Sequence, residues 1–119
     1  VKVASKISDF SKGKKYITGA YRGLKKVFKG KKGIEIHHLV EKRFSKLFKK
    51  VKTDDFLSVP LSKELHRTIT NRWRNCFPYG TNYSKITKTQ MRNAIKKVYK
   101  DMPQLLNETL KWFEKNWKK

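Results

Sequence analysis

Charge constrains this chain before anything else does. Lys and Arg number 31 against 9 Asp and Glu in 119 residues, a formal net charge of +22. A compact state with that imbalance repels itself, and the cost is tolerable where the surface has a polyanion to meet. Disorder would avoid the repulsion, but hydrophobic residues make up 37% and aromatic residues 13%, too apolar for a solvated basic tail. The length allows one domain with one modest core. Nucleic acid and an anionic membrane surface are the two polyanions to consider. The positive charge is mostly Lys, which suits phosphate contact, whereas base reading leans on Arg.

Other classes fall away quickly. No run approaches the roughly 18 to 20 apolar residues that span a bilayer, and no signal peptide is visible. The chain starts at Val1, which reads as a C-terminal domain excised from a longer protein. Cys76 is the single cysteine, so an internal disulfide and a cysteine zinc site are both excluded. It is expected as a buried small hydrophobe.

Residues 1–32 read as a basic linker or N-terminal helix, rich in Lys and Gly. Within them Ile17, Ala20, Tyr21, Leu24, Val27 and Phe28 recur at helical spacing. A helix packed on the domain with a solvated lysine face, a linker and a membrane-active helix are the three readings. Residues 33–119 read as the functional domain. Gly33 to His37 is expected as a short strand, with Ile34 and Ile36 facing one way and Glu35 and His37 the other. The spacing of Val40, Phe44, Leu47 and Phe48 predicts a helix over 39–49, followed by a polar turn to Asp55. Phe56 to Leu61 reads as a second strand, edge-like because Pro60 cannot donate to a ladder.

Ser62 is placed to cap the next helix, whose apolar stripe is Leu65, Ile69 and Trp73. Pro78, Gly80 and Asn82 break the chain. A helix over 88–100 then carries Met91, Ala94, Ile95, Val98 and Tyr99. Pro103 opens a last one with Leu106, Leu110, Phe113 and Trp117 on one face. Trp73, Trp112 and Trp117 are expected in the core. The expected fold class is α+β, mostly α, with two short strands.

Chemistry concentrates in the histidines. All three belong to one half-motif: His37-His38 in Gly-Ile-Glu-Ile-His-His-Leu-Val, and His66 in Leu-Ser-Lys-Glu-Leu-His-Arg. Adjacent strand residues face opposite ways, so one imidazole of a doublet can bind metal while its neighbour takes a proton. Phosphodiester cleavage needs a deprotonated water, charge stabilisation on phosphate and a protonated leaving group.

Gly-Ile-Glu-Ile-His-His-Leu-Val-Glu-Lys-Arg-Phe, Leu-Ser-Val-Pro-Leu-Ser-Lys-Glu-Leu-His-Arg, Asn-Arg-Trp-Arg and Pro-Tyr-Gly-Thr together resemble the HNH/endonuclease VII-type nuclease domains of bacterial polymorphic toxins. Glu-Ile-His-His is also similar to the Glu-Leu-His-His segment of the colicin DNases. The resemblance covers roughly residues 33 to 118. It implies a ββα-metal finger, two short strands plus a helix, embedded among additional helices. It also implies His37 and His66 as metal ligands and His38 as general base.

Two positions depart from the family. A second helical histidine is replaced by Thr70, about 40° around the helix from His66, and Asn71 lies about 140° away. The asparagine of the motif has no clear equivalent, with Asp54, Asp55 or Phe56 near its place. A two-histidine site completed by water and phosphate is therefore expected. Mg²⁺ or Mn²⁺ is favoured there, with Zn²⁺ and Ni²⁺ as alternatives. Arg74, about 80° from His66, and Glu41 and Arg43 after the doublet are candidate phosphate or accessory groups.

The resemblance implies a metal-dependent endonuclease toxin, with non-specific DNA favoured. A ribonuclease or tRNase toxin of the same fold is the alternative. A non-enzymatic basic nucleic-acid binder is the alternative from another class, and a membrane-lytic domain over residues 14–29 is a further one. A toxin of this kind is secreted or delivered within a larger protein and acts in the cytoplasm of a target bacterium. Its producer needs an immunity protein, expected here to be acidic and bound one-to-one.

Overall fold

The computed structural model describes residues 16–48 and 51–118, and whatever was read above for residues 1–15, 49–50 and 119 lies outside them. Alternation of side chains along Ile34–His38 builds the centre of the molecule. This strand, β2, pairs antiparallel with β3 (Leu57–Ser62), Glu35 opposite Leu61 and His37 opposite Val59. Residues directly opposite share a face, so Glu35, His37, Val59 and Leu61 look one way. Ile34, Ile36, His38, Ser58 and Pro60 look the other. Val59 and Leu61 are fully buried, so the Glu35–His37 face is pressed against the core.

The sheet has three strands in the order β1-β3-β2, not two. The extra one, β1, is Gly19–Ala20, paired with Ser58 and Leu57. It makes β3 the central strand and corrects the edge reading of Pro60. The Leu39 N–H donates to the Leu57 carbonyl, which sets the ladder's phase so that Pro60 and Ile36 form a non-hydrogen-bonded pair. The Pro60 nitrogen therefore points away from β2, past the last residue that β1 reaches. No ladder bond is lost there, and proline fits.

The first helix, α1 (Tyr21–Val27), buries Leu24, and Phe28 beyond it is buried as well. Tyr16, Leu24 and Phe28 belong to the same core cluster as the rest of the chain. Val27, on the expected apolar stripe, is 65% exposed. Gln104 grips the Tyr16 backbone from both sides, accepting from its N–H at 2.6 Å and donating to its carbonyl at 3.0 Å. The predicted helix over 39–49 is instead a 3-10 segment, Lys42–Leu47. Leu39, Val40, Phe44, Leu47 and Phe48 are all buried. Val40, Phe44, Leu47 and Phe48 would share one face of an α-helix, but Leu39 would lie about 80° outside it, and the tighter, irregular backbone lets all five turn inward.

Helix α2 (Lys63–Cys76) follows β3 without a linker, because Ser62 accepts the Leu65 N–H at 3.2 Å and so caps it. Ile69 and Trp73 are buried, as their spacing predicts. Thr87 and Gln90 form a capping box for α3 (Lys88–Val98). Pro103 starts α4 (Pro103–Asn116), whose buried stripe is Leu105, Thr109 and Phe113. Leu106 and Leu110 are only partly buried, a rotation from the predicted face. Trp73 and Trp117 are core residues and Trp112 packs against the core half-buried. Cys76 is likewise only partly buried, lining a cleft between α2 and α3. The domain is thus α+β and mostly helical.

Candidate active site

β2 and α2 bring three chemically capable side chains together. Glu35 and His37 are two apart on one strand, so they share a face, and α2 crosses that face with His66. The His66 Nδ1 lies 2.6 Å from Glu35 Oε1, and the His66 and His37 rings are 4.9 Å apart. Glu35, His66, Thr70, Asn71 and the cations Lys63, Arg67 and Arg74 line a cleft of 420 Å³. His37, 3% exposed, is not part of that lining and sits deeper. The site residues predicted on α2 are therefore gathered at one opening, and Asn71 reaches it despite its angular offset from His66.

Hydrogen bonding fixes the tautomers. The Tyr99 hydroxyl donates its one proton to the Leu39 carbonyl. Its 3.1 Å contact with His37 Nε2 must then be a bond that His37 donates. His37 is thus the Nε2–H form, with its lone pair on Nδ1. Burial holds His37 well below the ordinary imidazole range, and the neighbouring His66 and His38 push the same way. Burial also pushes the Tyr99 phenol far up, so it keeps its proton. His66 donates Nδ1–H to the Glu35 carboxylate, which leaves Nε2 for a ligand.

The other half of the doublet looks away. His38 stacks on Tyr21 of α1, ring centroids 4.2 Å apart and planes within 12°, with Phe56 edge-on at 6.2 Å. Burial lowers its pKa, an effect partly offset by a hydrogen bond to the backbone of Thr53. The result is an imidazole that remains a proton acceptor at neutral pH. The predicted division of the doublet across the strand is therefore present, with His37 beside His66 and His38 against α1.

Glu41 and Arg43 pair with each other at 2.8 Å. Arg43 also donates to the Tyr83 hydroxyl at 3.1 Å, so both are spent bracing the chain after the doublet rather than reaching His37. Spacing alone missed Glu35 as the partner of His66, Tyr99 as the partner of His37 and Tyr21 as the partner of His38. Only Glu35 left a usable signal, its place on the strand face of His37.

No protein-family model, curated protein or solved structure matches this chain.

A divalent ion is the cofactor that the sequence implies, and the donor chemistry fits one. Each imidazole on the α2 side has one nitrogen tied to an acceptor, Glu35 for His66 and the Tyr99 oxygen for His37. Metal-binding imidazoles are oriented in this way. Among the described residues no three His, Cys, Asp or Glu side chains are grouped to hold a metal. The protein share of such a site would be the His37–His66 pair, with other positions left to water and phosphate. Among the described residues no helix is long and apolar enough to cross a membrane.

Proposed function

We propose that this domain is a metal-dependent endonuclease of the ββα-metal type, the toxic effector part of a larger secreted or delivered protein. The observation that carries the reading is the His66–Glu35 contact at the mouth of a cleft lined by Lys63, Arg67 and Arg74. A charge of +22 draws phosphate in, and the cleft cations hold it beside an imidazole whose orientation Glu35 sets. In this reading β2, β3 and α2 would be the two strands and the helix of the finger. His37 and His66 would hold a divalent ion, Mg²⁺ or Mn²⁺ in preference to Zn²⁺ or Ni²⁺. When bound, the ion supplies charge stabilisation to the phosphate and the leaving oxygen.

The chain's own contribution is acid–base chemistry and positioning. His38, whose pKa burial lowers, is the imidazole proposed to take the proton from water. It stands on the other face of β2 from the His66 cleft, against Tyr21, so His38→Ala is the decisive test of this role. Tyr21 and Thr53 keep its ring in place. Lys63, Arg67 and Arg74 bind phosphate without reading bases, which fits cleavage with little sequence preference; DNA is the favoured substrate and a ribonuclease of the same fold the alternative. An acidic immunity protein, bound one-to-one, is the partner that such a surface calls for.

Plasmid DNA and total RNA, each incubated with the purified domain with and without Mg²⁺ and with EDTA, test the reading. Cleavage of DNA that EDTA abolishes and His38→Ala cuts by roughly 10²–10⁴-fold is expected. Cleavage surviving both treatments would contradict the mechanism. Salt-sensitive binding without any cleavage would leave a basic nucleic-acid-binding protein.

A further inference from the structure

Beyond the His66 cleft, Arg43, Arg74 and Tyr79 form an aromatic–guanidinium pile whose outer members, Arg74 and Tyr79, are exposed. Tyr79 is 64% exposed. The Arg43 guanidinium carbon lies 5.0 Å from its ring centroid and that of Arg74 lies 4.7 Å away. Arg74 Nη2 also donates to the Tyr79 hydroxyl at 3.2 Å. Below, the pile stands on rigid ground. Arg43 lies 4.6 Å from the centroid of buried Phe44 and is tied to Glu41 and Tyr83.

A lone exposed tyrosine is ordinary, but this one is held in place and shares a residue with the cleft. Arg74 belongs to both, lining the opening with Glu35 and His66 while it lies over Tyr79. A ring fixed beforehand loses little conformational freedom when it meets a ligand. Aromatic faces and guanidinium planes are both surfaces on which nucleobases stack, without regard to base identity. A base in a duplex already has a neighbour on each side and offers no face. An unpaired base does, and its adjoining phosphate would lie toward Lys63, Arg67 and the cleft.

We propose that Tyr79 and Arg74 form a platform for one unpaired nucleobase at the rim of the His66 cleft, giving this chain a preference for single-stranded over duplex nucleic acid. The inference rests on the nucleic-acid reading above and adds the state of the substrate to it. Single-stranded DNA and RNA offer the same chemistry here, a π-face beside a phosphodiester.

Fluorescence anisotropy of the full chain with labelled single-stranded DNA, single-stranded RNA and duplex DNA of one sequence tests it. EDTA and a His38→Ala background keep the strands intact. Tyr79→Ala and Tyr79→Leu should each weaken single-strand binding by roughly tenfold and leave duplex binding within about twofold, while Tyr79→Phe, which keeps the ring, stays near the parent. Equal effects on single strand and duplex, or no effect on either, overturn the proposal. So does a lowered melting temperature with an unchanged single-strand preference, the mark of a tyrosine that only separates Arg43 from Arg74. Wild-type chain that cuts nothing yet shows the Tyr79-dependent preference would refute the nuclease reading and leave this one standing. A nuclease indifferent to Tyr79 would do the reverse.

Discussion

Tyr99→Phe isolates the bond that sets the His37 tautomer. The substitution keeps the buried ring and its packing and removes one oxygen. That oxygen accepts from His37 Nε2 and donates to the Leu39 carbonyl, and Tyr99, His37 and Leu39 are all buried. Without it, a donor and an acceptor lose their partners away from water, each at a cost of about 1–3 kcal/mol. A change of tautomer in His37 turns one orphan from donor to acceptor without removing it. The expected loss is therefore about 2–6 kcal/mol, or roughly 8–24 °C in melting temperature for a domain of this size. Urea unfolding followed by Trp fluorescence reads it directly. In a His37→Leu background one of the two orphans is already gone, so the same substitution should cost about half as much. Tyr99→Phe within about 0.5 kcal/mol of wild type would refute the reasoning, because the shared oxygen would then not be holding two buried groups.

Two further outcomes follow from the same structure. The folded-state pKa of His37 lies well below its ordinary 6.5, so in the window beneath 6.5 the unfolded chain binds more protons than the folded one. Stability contributed by the neutral ring is present above that pH and is lost as pH falls, with a slope approaching about 1.4 kcal/mol per pH unit. Denaturant titrations between pH 7 and 5 should show this slope, and His37→Gln should flatten it; an unchanged slope in the variant would place the dependence elsewhere. Thr87→Ala removes the bond that the Thr87 hydroxyl accepts from the Gln90 N–H, leaving the one its own backbone N–H donates to Gln90, and should cost about 0.5–2 kcal/mol in the same unfolding assay, with no change in phosphodiester cleavage.

The local features of this fold were legible because their causes are local. Alternation over 34–38 marked β2, Ser62 marked the start of α2, and Pro103 marked α4. Pro60 misled because the strand that makes β3 central is the Gly-Ala pair at 19–20, too short to leave any periodic signal. Leu106 misled because two adjacent leucines fit a helical stripe equally well, and the packing of α4 turned Leu105 inward. The histidine doublet showed its division across the strand, a consequence of backbone geometry alone. Its partners did not show. Glu35 meets His66 across 31 residues of sequence and Tyr99 meets His37 across 62, and pairings at such range are set by how α2 and α3 pack on the sheet. The pile of Arg43, Arg74 and Tyr79 was hidden for the same reason.

The Glu35–His66 pair at the cleft is proposed to take part in cutting a phosphodiester backbone. Initial rates on plasmid DNA for wild type, His66→Ala and Glu35→Gln, with the melting temperature of each, measure that most directly. A loss of roughly 10²-fold or more is expected for His66→Ala and about 10–100-fold for Glu35→Gln, each protein melting close to wild type because both side chains are part-exposed. Folded variants that cut as fast as wild type would contradict this role.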